Sequence, residues 1–280
     1  MARRVDGTAL LVTGWTDHFS VWSSHFYMTF TLSTSFAPSL AGCARVYVDV
    51  GLNIGDNLRT LYEPSVASKA HKLNRTLGSL FGSVEARQDV CAIGIEPNPT
   101  HAKPLAAIQQ RLKARGHNVQ LFGLAVSNVS GTATYWTDTA AHNNVRNGWG
   151  NSLLRWATNM DDAHAVDVPT IPLANVLATL FPHTSGEHLR TLVVGLKIDC
   201  EGCEYDAVPQ AIDALCSSVD VMWLERHDRF FSTKWRGHKA GFRSEGRREA
   251  LDASIAEMKQ RAGCRVRVRN LSAIEGAHQG

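Results

Sequence analysis

The stretch TLVVGLKIDCEGCEYDAV (191–208) carries the pattern that decides the fold. Its first half is apolar and β-branched and reads as a buried strand over 191–199. Its second half opens a run, 204–216, that reads as a helix. Between the two lie Lys197, Asp199, Glu201 and Glu204, four charged side chains around one short turn. Charges are costly to bury unless they are paired or used. A strand that ends in charge and turns at once into a helix is part of a βαβ unit, and in parallel sheets ligands bind where the strands end.

Working outward, the same alternation recurs. RVYVDV (45–50), VCAIGIE (90–96), VQLFGLAV (119–126) and VDVMWLE (219–225) read as further strands. Helical patterns cover much of 55–82, interrupted at Pro64, then 100–116 closing on Gly116, 171–181 and 248–263. GTATYWT (131–137) follows the turn SNVSG and extends the sheet or pairs with the third strand. CRVRVRN (264–270) alternates arginine with apolar residues, as a strand with one wet face does. Residues 138–170 are polar and weakly patterned and read as a long loop, and long loops in compact domains are usually functional or disordered. The predicted fold is α/β: a Rossmann-like, mostly parallel sheet with helices on both faces, over 45–280, preceded by an extension at 1–44.

Composition narrows the classes. Lys plus Arg number 29 against 26 Asp plus Glu, and no dense basic stripe with interleaved aromatics appears, so nucleic acid is not an expected partner. Residues 18–44 contain no Asp, Glu, Lys or Arg, which raises a membrane anchor as one reading. Frequent Ser and Thr and a proline at 38 favour an extra layer or irregular segment instead. Six cysteines in 280 residues read as too few for a disulfide scaffold. The C-x-x-C pair Cys200 and Cys203 sits among acids, a poor setting for a redox thiol. The histidines at 101, 117, 142, 164 and 183 have no metal-ligand spacing, and no metal is expected.

The other strand ends add chemistry. DVGLNIGDN (49–57) is a glycine loop of the form G-x-N-x-G, not the G-x-G-x-x-G that cradles a pyrophosphate. Asp49 repels phosphate and attracts an ammonium. GIEPNP ends the second strand in Glu96, where a carboxylate can accept both hydroxyls of a ribose. Asp49, Glu96 and Asp199 together suit a ligand with an amino acid part and a nucleoside part and no phosphate, such as S-adenosylmethionine.

DVGLNIGDN, GIEPNP, NSLL (151–154), LKIDCEGCEYDAV and WLERH (223–227), in this order, resemble the FkbM family of methyltransferases. The K-x-D-x-E-G-x-E element at 197–204 is the most specific part. The resemblance implies a seven-stranded Rossmann-like domain, S-adenosylmethionine as cofactor and methyl transfer, commonly to a hydroxyl oxygen of a sugar or other small molecule. It implies Gly51, Asn53 and Gly55 around the methionine part, with Asp49 near its amino group. Glu96 would hold the ribose, and Asn98 with the stretch from Ala125 through Ser127 to Asn128 would lie near the adenine. Asp199, Glu201, Lys197 and His227 are the implied catalytic candidates, facing the methyl donor or the acceptor. A small-molecule or glycan acceptor is the implied partner. Where the family carries an acidic pair in the helix at 171–181, this chain has LANVL.

Each candidate has a plainer role open to it. Lys197 can snorkel and pair with Glu201 or Glu225. Glu204 can sit in the first turn of a helix because the dipole favours it there. Glu201 and Gly202 can simply shape the turn, and His227 can be a structural hydrogen-bonding histidine. The rival functions are a nucleotide (NAD)-dependent oxidoreductase on the same architecture and a binding module that has lost turnover. Segments 138–170 and 228–247 flank the strand ends and are the expected substrate contacts.

Overall fold

The computed structural model describes residues 38–65, 70–138, 151–154, 160–181, 193–228 and 245–271. Its main sheet has six strands: β1 (Arg45–Val50), β2 (Val90–Ile95), β3 (Val119–Phe122), β7 (Val193–Ile198), β8 (Val221–Leu224) and β9 (Arg267–Asn270). Their spatial order is β3-β2-β1-β7-β8-β9, and every pairing is parallel. The order reverses between β1 and β7, so the carboxyl ends of those strands open a crevice there. The mostly parallel α/β architecture expected from the pattern is present, with six strands in this sheet among the described residues rather than seven.

Period-2 alternation sorts the core into two faces. Val46, Val48 and Val50 of β1, with Ile93 and Ile95 of β2 and Leu196 and Ile198 of β7, pack on one face. Covering them are α4 (Leu173–Leu180), α5 (Glu204–Ala207), α6 (Ile212–Ser218) and α7 (Glu245–Gln260). Tyr47, Ala92 and Trp223 lie on the other face, under α1 (Asp56–Tyr62), α2 (Ala70–Phe81) and α3 (Ala102–Ala114). A large side chain buried this way contributes about 1.5–3 kcal/mol. Asp49 and Lys197 belong by alternation to this second face. The strand register sets them directly opposite one another.

Four expectations change. The predicted third strand breaks after Phe122: β4 (Ala125–Ser127) joins a separate three-stranded sheet, ordered β4-β6-β5. Its other members are β5 (Gly131–Asp138) and β6 (Met160–Pro172), so much of the supposed loop 138–170 is an antiparallel strand. Val166 and Val168 of β6 pack inward with the exposed Asp167 between them. The helix expected over 204–216 is two short helices, α5 and α6, with Pro209 between them, where a missing N–H cannot continue the ladder.

The cysteine reading is the fourth correction. All six form disulfides: Cys43–Cys91, Cys200–Cys203 and Cys216–Cys264. Cys43–Cys91 ties the segment before β1 to β2, and Cys216–Cys264 ties α6 to the segment before β9. Sequence spacing cannot show that residues 48 apart meet in space. The C-x-x-C pair holds no thiol; it closes the acidic turn covalently. Among the described residues no helix is long and apolar enough to cross a membrane. Most of the 1–44 segment lies outside the described residues.

Candidate functional site

Glu96 follows the last residue of β2 and is 6% exposed. Its Oε2 accepts the Asn53 N–H at 2.7 Å, and its Oε1 accepts the Asn98 N–H at 2.9 Å. Asn53 reaches that position in a left-handed conformation, φ 53°, which asparagine tolerates better than most residues. Its own Oδ1 accepts the next N–H, from Ile54. Each carboxylate oxygen of Glu96 retains lone-pair capacity beyond its one amide. The result is a fixed pair of acceptors on the wall of a cavity of about 490 Å³. Leu52, Leu105, Phe122 and Val168 supply its apolar lining, with Asn98 and Glu96 as polar points. Val168 comes from β6, so the second sheet forms one wall. An apolar slot with two vicinal acceptors fits a nucleoside.

Asn98 shapes this wall through its fold. Its Oδ1 accepts from Thr100 N at 3.0 Å and from Thr100 Oγ at 2.8 Å, capping the short turn that leads into α3. Ala125 lies apart from the large cavity, in a crevice of about 20 Å³ with Gly51, Tyr135, Leu153, Cys200 and Cys203. Ser127 lines neither space; its hydroxyl is engaged with the backbone of Val129. Gly55 caps α1 at its N-terminus, facing Leu105 and Ile108 of α3.

Gly51 joins the two halves of the site. A Cβ at this position would lie 1.7 Å from the Asp199 carbonyl oxygen, and its φ is +80°. Only glycine lets the β1 loop and the acidic turn touch this closely. Beneath the contact sits Lys197, 2% exposed. Its Nζ donates to Asp49 Oδ1 at 3.1 Å and to Gly51 O at 3.1 Å, and lies 3.2 Å from Asp199 Oδ2. Lys197 therefore pairs with Asp49 and Asp199, not with Glu201 or Glu225. Burial alone would lower its pKa, but Asp199 and Asp49 outweigh burial and hold the ammonium well above its ordinary value. Burial pushes the Asp49 carboxyl up, and the Lys197 ammonium opposes that. Asp49, 1% exposed, faces this ion pair and the Tyr47 hydroxyl rather than an open position. Both residues support the loop from below.

On the far side of the crevice, His227 follows β8 and is 2% exposed. Its Nδ1 is 2.8 Å from Glu204 Oε1, which also accepts the His227 backbone N–H at 3.1 Å. Glu204 Oε2 accepts the Gly202 N–H at 2.9 Å. Glu204 is 0% exposed, so it does more than complement a helix dipole: it fastens the acidic turn to the end of β8. His227 Nε2 then points to Glu201 Oε2 at 3.4 Å and Asp199 Oδ1 at 3.6 Å, with Glu225 Oε1 at 4.0 Å. Burial would lower the imidazole pKa, but Glu201 and Glu204 overcome it and hold the ring protonated well above its usual range. A histidine that already keeps its proton is a poor general base. Asp199, Glu201 and His227 also place three ligand atoms within 4.8 Å of one another, a grouping the sequence spacing did not suggest.

Tyr135 was not singled out from the sequence as a part of this site, and Ser152, within NSLL, reads there as a site residue or as loop punctuation. Tyr135 of β5 is 6% exposed and hydrogen-bonded to Asn151. Burial, then the nearby Glu96 and Glu201, raise its phenol well above the ordinary value, so it stays neutral between both halves of the crevice. Its alternating strand was legible; its direction was not. Ser152, within NSLL, donates to the Glu201 carbonyl at 2.6 Å and accepts the Leu154 N–H at 2.9 Å. That clamp explains why the motif accompanies the acidic turn. Glu201 there adopts φ 53° and Gly202 φ 111°, and Leu154 fills the space a Gly202 side chain would need. Of the expected substrate contacts, Val166, Val168 and Pro169 of segment 138–170 line the large cavity, whereas 139–150, 155–159 and most of 228–247 lie outside the described residues.

The chain matches no curated protein and no solved structure. The methyltransferase FkbM domain matches residues 49–243, more than half of the chain. That span runs from Asp49 through the Gly51 loop, Glu96 and the NSLL clamp to the acidic turn and His227, the residues that meet at the crevice. The chain belongs to the FkbM methyltransferase family.

Proposed function

We propose that this methyltransferase uses S-adenosylmethionine and methylates a hydroxyl oxygen on a sugar or other small-molecule or glycan acceptor. The observation that carries the reading is Glu96: a carboxylate fixed by two backbone amides, with acceptor capacity to spare, on the wall of a nucleoside-sized cavity. When bound, S-adenosylmethionine supplies a methyl group on a sulfonium, and sulfur keeps the electron pair as the carbon–sulfur bond gives way to carbon–oxygen.

The chain's own residues supply position and proton handling. Glu96 accepts the ribose hydroxyls, and Leu52, Leu105 and Phe122 exclude water around the base. Gly51, Asn53 and Gly55 shape the loop that the amino acid part follows, while Lys197 and Asp49 hold that loop against Asp199. Positioning of this kind supplies much of the acceleration of an in-line displacement. The acceptor hydroxyl must lose a proton as its oxygen attacks. The carboxylates of Asp199 and Glu201, 26% and 20% exposed at the opposite side of the crevice, are placed to take it. A hydroxyl acceptor is favoured because a carboxylate cluster serves a group that must shed a proton.

Calorimetric titration of S-adenosylhomocysteine into the wild type and Glu96→Ala tests this. Binding by the wild type, weakened at least about a hundredfold in the variant, is expected, because two hydrogen bonds to a charged group are lost. A well-folded wild type that does not bind sinks the cofactor assignment, and equal binding by both proteins removes Glu96 from it.

A further inference from the structure

We propose that Asp199, Glu201 and His227 form a site for a first-row divalent cation of the Mn²⁺ or Zn²⁺ type, at the mouth where the acceptor hydroxyl arrives. The role given to the cation rests on the methyltransferase reading; its binding does not.

The imidazole separates this cluster from a patch of surface acids. It comes from a different strand end, is 2% exposed, and is fixed by a carboxylate that is itself fully buried. Glu204 holds Nδ1 and so aims Nε2 at both other carboxylates. Metal-binding histidines are oriented in this way, with the second ring nitrogen hydrogen-bonded to a carboxylate. Asp199 divides its oxygens: Oδ2 faces Lys197 at 3.2 Å, and Oδ1 faces His227. One oxygen is thus committed to the structural ion pair while the other remains directed at the cluster.

The two spacings to the imidazole agree with coordination, and all three ligand atoms lie within 4.8 Å of one another. Metal–ligand bonds of about 2.0–2.2 Å place the ligands of a tetrahedral ion about 3.4 Å apart. Nε2 is 3.4 Å from Glu201 Oε2 and 3.6 Å from Asp199 Oδ1. Three protein ligands, one nitrogen and two oxygens, leave a fourth position for an outside oxygen, as catalytic rather than structural sites do. The Asp199 and Glu201 side chains keep contact with solvent while Glu201 Oε2 and His227 Nε2 are buried, so an ion would enter past the exposed parts of the two carboxylate side chains. An acceptor hydroxyl in the fourth position would have its proton affinity lowered by the ion and release the proton to water, relieving the carboxylates of that duty. The competing occupant is a proton on Nε2.

The test uses the full chain stripped of metal with EDTA and titrated calorimetrically with Mn²⁺ alone and with Zn²⁺ alone. Binding of one ion per chain is expected for at least one metal. Affinity should fall at least about tenfold in Glu201→Gln and in His227→Gln. It should be unchanged in Asp213→Asn, a surface acid 87% exposed. Stoichiometric binding of neither metal overturns the proposal in favour of the proton, and equal affinity in wild type, Glu201→Gln and His227→Gln places the ion elsewhere and overturns it too. If His227→Gln does not fold, Glu201→Gln and Asp199→Asn decide by the same criterion. S-adenosylhomocysteine titrated in EDTA separates the two readings. Its binding without metal binding rejects the cation alone; metal binding without it rejects the cofactor assignment alone.

Discussion

On the β2 side of the crevice one carboxylate, Glu96, is held by two backbone N–H groups. On the β7–β8 side Asp199, Glu201, Glu204 and Glu225 gather around one imidazole and one ammonium. Backbone amides are fixed in the sheet-and-loop framework and neutral, so the first side presents acceptors held mainly by the backbone, with His101 Nδ1 3.5 Å from Glu96 Oε1 as the nearby titratable group. The second side is a network of charges that support one another, so removing one member exposes the rest. A site of the first kind suits recognition of a constant ligand. A site of the second kind suits movement of protons or cations.

Removing the ammonium breaks the second side most severely. Lys197→Met leaves Asp49 and Asp199 without their common cation while filling similar space. Breaking a buried ion pair from one side costs about 3–5 kcal/mol, and urea denaturation is expected to show a loss of that size. A loss below about 1 kcal/mol would mean that the carboxylates reorganise freely and that the network is less coupled than its geometry indicates.

A smaller effect concerns pH. The folded-state pKa of His227 lies above its unfolded value, so its contribution to stability is complete below about pH 6.5 and is lost as pH rises through the raised value. Denaturation midpoints of the wild type should fall as pH rises above about 6.5, and His227→Gln should flatten that decline. His117, whose pKa burial lowers, acts below that window, with the opposite sign. An equal decline in His227→Gln would show that the imidazole is not the coupled group.

The smallest expected change tests whether the two sides are independent. Ser152→Ala removes the hydrogen bond to the Glu201 carbonyl and should cost about 1 kcal/mol. Affinity for S-adenosylhomocysteine should not change, because Glu96 and its two amides do not touch this clamp. A parallel loss of cofactor affinity would show that the turn and the nucleoside cavity move as one unit.

Much of this was readable in one dimension. The short apolar runs RVYVDV and VCAIGIE marked β1 and β2, and the loop after 50 and the acid at 96 lie where those strands end. The strand–turn–helix in 191–208 marked β7 and its acidic mouth. The second sheet was hidden because β6 is rich in Asp, His, Thr and Pro, and its clear alternation is confined to Val166, Asp167 and Val168. The roles of Glu204 and Tyr135 were hidden for a different reason: direction within a turn or strand depends on what lies across the crevice.

Period, glycine and charge are local properties, and by themselves they determined that this chain is a parallel α/β domain with polar strand ends. Pairing is not local. Lys197 reaches Asp49 across 148 positions because two strands lie side by side in one register, and a slip of one residue would turn both side chains to the opposite face. The same is true of Cys43 with Cys91 and Cys216 with Cys264, and of His227 between Glu201 and Glu204. Only the tertiary structure could decide these partners, since a buried charge or a half-cystine is satisfied by whatever folding brings within a few ångströms.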